Sequence, residues 1–103
     1  MDVKPSFQDI IQSNTPVLVD FYADWCGPCQ AMTPVITDFS SEMGEKVKVI
    51  KINVDTNPAV ASTFNVRGIP TFIVFKNGEA VSRQSGMMPL AGLRSMVDPY
   101  LVK

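Results

Sequence analysis

The sequence predicts an α/β fold: a mixed central β-sheet, four strands in all, flanked by helices on both faces. Three observations carry that prediction. The run 17–22 is apolar, β-branched and aromatic almost throughout, as in a strand buried on both faces. A second strand-like run, 47–54, follows a long segment of helical spacing, and a strand–helix–strand unit pairs its strands in parallel with a right-handed crossover. Asn77-Gly78 then joins two further strand segments, the strongest short hairpin signal, which adds an antiparallel pair.

Taken in order, Ser6 can cap a short helix whose Phe7, Ile10 and Ile11 share one face, and Asn14-Thr15-Pro16 breaks it. In the first strand, Val17–Tyr22, only Asp20 interrupts the apolar run. A helix is expected from Pro28 to Met43, with Met32, Val35, Ile36, Phe39 and Met43 as its apolar stripe. Pro34 removes one hydrogen bond and should kink it, and Gly44 should end it. After the strand 47–54, Asn57-Pro58 reads as a cap and a first-turn proline opening a helix to about Phe64. The loop 66–70 leads into the strand Thr71–Lys76, the hairpin and the strand Glu79–Ser85. Leu90, Leu93 and Val97 mark a last helix that Pro99 should end near Asp98. The order is α-β-α-β-α-β-β-α.

A chain of 103 residues, 46% of them hydrophobic, fits one domain over 1–103 with a real core. A net charge of −1 gives no reason to expect a nucleic-acid or anionic-membrane partner. No apolar stretch approaches the roughly 18 residues of a membrane span. The start, Met1-Asp2-Val3-Lys4-Pro5, lacks the pattern of a secretory signal, so the expected compartment is cytoplasmic.

The chemistry gathers at Trp25-Cys26-Gly27-Pro28-Cys29, which holds both cysteines and the one tryptophan. A thiolate attacks a disulfide to form a mixed disulfide, and a second thiol nearby resolves it. If a helix begins here, Cys26 stands at its N-terminus, where free N–H groups favour a thiolate. Zinc or iron–sulfur sites want about four Cys or His ligands, and this chain has two cysteines and no histidine. A structural disulfide across so short a loop constrains the unfolded chain only weakly. Redox chemistry therefore leads. Asp20 is costly inside its strand unless paired or protonated; it is a proton acceptor, a satisfied core carboxylate, or a solvent-facing side chain on an edge strand.

These segments together resemble the thioredoxin family. The likeness covers VLVDFYADWCGPC (17–29), the Pro34 kink, KINVD (51–55), VRGIPT (66–71), FKNGE (75–79) and Ser85-Gly86. The resemblance implies the thioredoxin fold and reduction of protein disulfides, with Cys26 as exposed nucleophile and Cys29 as buried resolving thiol. It implies Asp20 as general acid/base, with Lys51 near it, and a cis peptide at Pro70. Substrate is expected across Trp25, Gly27, Pro28, Ile69, Pro70, Gly86 and Met87. The soft side chains of Met87 and Met88 suit varied partners there. The implied partners are disulfide-containing proteins and a thioredoxin reductase, acting on a monomer with no cofactor beyond the Cys26–Cys29 disulfide.

The chain departs from the family pattern in several places. Only Met1–Lys4 precede Pro5, where an additional edge strand is usual, which favours four strands. Gln30 takes a position often basic, Tyr22 one often tryptophan, and Pro89 replaces a polar helix start. Two rival functions remain: a binding or chaperone module whose redox state is incidental, and an oxidase or isomerase of an oxidising compartment.

Overall fold

The run 17–22 folds as β1 (Val17–Tyr22), and Val17, Leu18, Val19 and Phe21 are wholly buried. Burying each of these side chains is worth roughly 1.5–3 kcal/mol, which holds β1 in the interior of the sheet. A computed structural model describes residues 6–103. Within it the four strands run in the order β2-β1-β3-β4, with β2 Lys48–Asn53, β3 Thr71–Lys76 and β4 Glu79–Ser85. β1 pairs in parallel with β2 and antiparallel with β3, which pairs antiparallel with β4, so the sheet is mixed. The question of an edge strand at Met1–Lys4 lies outside the described residues.

Helices cover both faces. Alternation along β1 sends Leu18 to the face packed by α3 (Thr33–Met43) and α5 (Leu90–Val97), where Phe39, Leu93 and Val97 join Phe72 and Val74. Val17, Val19 and Phe21 face the opposite layer, where α1 (Phe7–Ile11) and α4 (Pro58–Thr63) contribute Ile11, Phe7 and Val60. Phe7, Phe64 and Phe75 pack there as tilted and edge-on pairs 5.0–5.6 Å apart.

Local expectations hold with instructive adjustments. Ser6 accepts from the Asp9 N–H, and the Asp9 carboxylate accepts from the Ser6 N–H, a capping box. The helix expected over 28–43 is divided into α2 (Gly27–Ala31) and α3, meeting at Met32. Pro34 explains the break: it has no N–H for the Gln30 carbonyl, and its ring crowds that carbonyl. The Met32 N–H is shared between the Pro28 and Cys29 carbonyls, both at 3.2 Å. Asn57 stands at the start of α4 but does not cap with its side chain. Its amide donates instead to the Asn53 carbonyl at 3.0 Å. Gly44 ends α3 at φ +54°, and Pro99 lies in a short 3₁₀ turn after α5.

Asn77 (φ +52°) and Gly78 (φ +84°) carry the β3–β4 turn, and their N–H groups donate to the Ser13 and Ile11 carbonyls at the end of α1 and just beyond it. A Cβ on Gly78 would meet the Gln12 amide, the movable end of a flexible side chain, so the positive φ is the heavier constraint. Gly78→Ala is expected to lower stability by about 1–2 kcal/mol in urea denaturation. Adding Gln12→Ala should not restore it, because the penalty is conformational.

Candidate active site

The Cys26–Cys29 pair sits just beyond the C-terminal end of β1. Cys26 has extended backbone (φ −85°, ψ 109°) and is the N-cap of α2, with Pro28 in its first turn. Its N–H donates to the Ala23 carbonyl at 3.2 Å, which closes the turn out of β1. This geometry brings the two Cα atoms to 5.2 Å, and the sulfurs are joined as a disulfide. The Cys29 N–H donates to Cys26 Sγ at 3.1 Å. When Cys26 is a thiolate, that hydrogen bond stabilises its charge.

One expectation needs correction. Cys26 is no more exposed than Cys29: the residues are 4% and 7% exposed. In the disulfide, Cys26 Sγ is turned inward against the Ile69 carbonyl, 3.9 Å away, and packs with Ala23 and Ile69. Its surroundings provide the accessible surface. Trp25 is 71% exposed, and Gly27 and Pro28 flank the sulfurs on the same turn, Gly27 exposed beside it.

Ile69 and Pro70 arrive from a distant loop, Ile69 lying 43 residues beyond Cys26 in the chain. The Ile69–Pro70 peptide is cis. The Thr71 hydroxyl donates to the Gly68 carbonyl at 2.6 Å and lies 3.0 Å from the Ser85 hydroxyl. The Gly86 N–H donates to the Pro70 carbonyl at 2.8 Å, with Gly86 at φ +92°. These bonds bring the end of β4, and with it exposed Met87, to the proline loop. Met88 is less exposed than Met87. It is partly buried against the α3/α5 core, since an apolar side chain there has Leu93 and its neighbours to cover it.

Asp20 lies on the α3-facing side of β1, only 3% exposed, and its Oδ1 has no hydrogen-bond partner. The solvent-facing reading is therefore wrong, because β1 is an interior strand. Burial pushes the Asp20 pKa up and the Lys51 charge pulls it partly back, leaving it at about 6. Lys51 is the register neighbour of Asp20 on β2, yet its Nζ lies 4.6 Å from the Tyr22 ring centroid. Among the described residues the one ion pair within 4.0 Å is Arg94–Glu42, so Lys51 acts on Asp20 through space. A cleft of about 190 Å³ opens beside Cys29 and Lys51, lined also by Tyr22, Gln30 and Thr33 among others. The Gln30 amide donates to the Asp24 carbonyl at 2.7 Å and brings no charge to the sulfurs.

Reasoning from the sequence missed Asp55, whose carboxylate accepts the Trp25 indole N–H at 2.8 Å. The residue stands out only as the last letter of KINVD, just past the end of β2. Among the described residues no group of three or more Cys, Asp or Glu side chains is placed to hold a metal ion.

The Thioredoxin family model matches residues 1–99. Thioredoxin 1 of Synechococcus elongatus is 43% identical over 94 residues, covering 91% of this chain and 88% of that protein. Thioredoxin of Rickettsia felis is 48% identical over 91 residues, 88% of this chain and 87% of that protein. The solved structure of a point-mutant thioredoxin from Halobacterium salinarum superposes with a TM-score of 0.84 at 40% identity, covering 93% of this chain and 83% of the other.

Folded Asp20 keeps its proton to about pH 6, whereas the unfolded chain releases it near 3.8. The cost of burying this group is therefore absent below about pH 3.8, grows as pH rises, and is complete above about pH 6. It amounts to something on the order of 3 kcal/mol. Asp20→Asn should stabilise the protein more at about pH 8 than at about pH 4, by about 2–3 kcal/mol in urea denaturation. A difference that does not vary with pH would show that Asp20 does not titrate in this way.

Proposed function

This chain belongs to the thioredoxin family and is a protein-disulfide oxidoreductase, and we propose the following division of labour in its site. Cys26, as the thiolate, attacks one sulfur of a substrate disulfide, and the other substrate sulfur leaves as a thiolate. Cys29 then loses its proton with the help of the Asp20 carboxylate, directly or through a water, and attacks Cys26 Sγ. The second substrate sulfur departs as a thiolate and the Cys26–Cys29 disulfide closes, so two electrons have passed to the substrate. The observation that carries this assignment is the 3.1 Å hydrogen bond from the Cys29 N–H to Cys26 Sγ, which favours Cys26 as the stabilised thiolate. Asp20 suits the proton-accepting role because it is buried, has an unpartnered oxygen, and changes charge near pH 6. Lys51 keeps that pKa from rising further.

The substrate chain is proposed to lie across Trp25, Gly27, Pro28, the Ile69 backbone, Pro70, Gly86 and Met87. Exposed Trp25 and Met87 supply apolar contact around the sulfurs. Backbone pairing at Ile69 would read no side-chain sequence, which suits an enzyme with many protein targets. The electron donor is proposed to be a thioredoxin reductase. On this reading the chain acts as one domain and a monomer in the cytoplasm, with the redox-active disulfide in place of any cofactor.

Cys29→Ser should trap mixed disulfides through Cys26 on incubation with a disulfide-containing protein, seen as a new non-reducing gel band that dithiothreitol removes. Cys26→Ser should trap none by that route. If the single Cys29→Ser variant accumulates no adduct, the assignment of attacking and resolving thiols is wrong. In rapid mixing, the resolving step should slow as pH falls below about 6. Lys51→Gln should move that inflection to higher pH, since it removes the charge that lowers the Asp20 pKa.

A further inference from the structure

Among the described residues, Met32, Met43 and Met96 are 1%, 8% and 8% exposed, and Met88 is packed against the α3/α5 core. Met87 is 57% exposed. It follows Gly86, whose N–H is bonded to the Pro70 carbonyl, while the Ile69 carbonyl on the other side of that proline lies against Cys26 Sγ. One oxidisable thioether among the described residues therefore stands well open to solvent on the rim of the disulfide site, while Met88 is half-buried and Met32, Met43 and Met96 are buried.

A thioether is an apolar, flexible contact; its sulfoxide is polar and no longer offers the same surface. We propose that Met87 is an oxidant-sensitive docking residue. A hydroperoxide gives its terminal oxygen to the Met87 sulfur, forming the sulfoxide and water (or alcohol). The sulfur loses two electrons and the peroxide gains them. Protein substrates then bind less well, while the Cys26–Cys29 chemistry is untouched. Oxidants thereby select against large docked partners and leave exchange with small disulfides running. This inference rests on the proposed docking of substrate at Gly86 and Met87.

The disulfide form of the protein, whose cysteines offer no thiolate to peroxide, is treated with limiting hydrogen peroxide and mapped by peptide mass spectrometry. Met87 should gain oxygen ahead of Met32, Met43, Met88 and Met96. With insulin as the protein disulfide, KM should then rise roughly fourfold with kcat unchanged. That is the change expected when apolar contact worth about one buried methylene is lost. The rate with 5,5′-dithiobis(2-nitrobenzoate), which needs no docking surface, should stay the same. Met87→Leu, whatever its own starting KM, should show no further change on peroxide treatment. Met87→Gln should show a raised insulin KM without peroxide.

Two results overturn the proposal in different ways. If Met87→Gln and Met87→Leu both leave the insulin KM at the parent value, and oxidation at Met87 does likewise, then Met87 does not touch substrate and the docking reading fails with the inference. If Met87→Gln raises the KM but peroxide oxidises Met88 or the core methionines first, docking stands and oxidant sensitivity at Met87 is wrong.

Discussion

Much of this molecule follows from the burial of β1 on both faces. Its apolar residues lock the two helical layers onto the sheet, and its C-terminal end delivers the chain to the Cys26 turn. The same burial places Asp20 in a medium that resists its charge. Stability and the proposed proton transfer are thus opposed at one residue. A neutral side chain would suit the core better at neutral pH, but it could not change protonation near pH 6.

The site is assembled by backbone hydrogen bonds more than by side chains. The Cys29 N–H reaches Cys26 Sγ, the Ala23 carbonyl receives the Cys26 N–H, and the Gly86 N–H ties β4 to Pro70. Thr71, wholly buried, holds the Gly68 carbonyl and so fixes the approach to the cis peptide. None of these bonds involves the Asp20 carboxyl, so the framework around the sulfurs can stay in place while Asp20 titrates. Charge enters from outside that framework, through Lys51, which sits over Tyr22 and acts on Asp20 at a distance. Tyr22 gives the lysine an aromatic face to rest on and also packs against the Cys26–Cys29 cluster.

Adjustments to the sequence reading arise where one segment answers to another. The helix expected over 28–43 is two helices, and Pro34 was already the visible reason. Asn57 looks like a cap because asparagine before proline usually is one, but the Asn53 carbonyl lies within reach and takes its amide. Met87 and Met88 are adjacent and chemically identical, yet one faces water and the other faces Leu93 and its neighbours. Nothing local separates them, since only the packing of α5 decides which is covered.

By itself the sequence determined the order of elements, the mixed sheet and the redox pair. Those depend on signals spanning a few residues: apolar runs, a Gly-Pro turn between cysteines, Asn-Gly in a hairpin. Tertiary structure alone decided that Asp20 is interior, that Lys51 lies over Tyr22, that Asp55 holds Trp25, and that Cys26 is covered by Ile69 in the disulfide form. Each of these joins residues far apart in the chain, or depends on which strand takes the sheet's interior. Dielectric environment and exposure belong to the assembled layers, and no residue type or spacing along the chain encodes them.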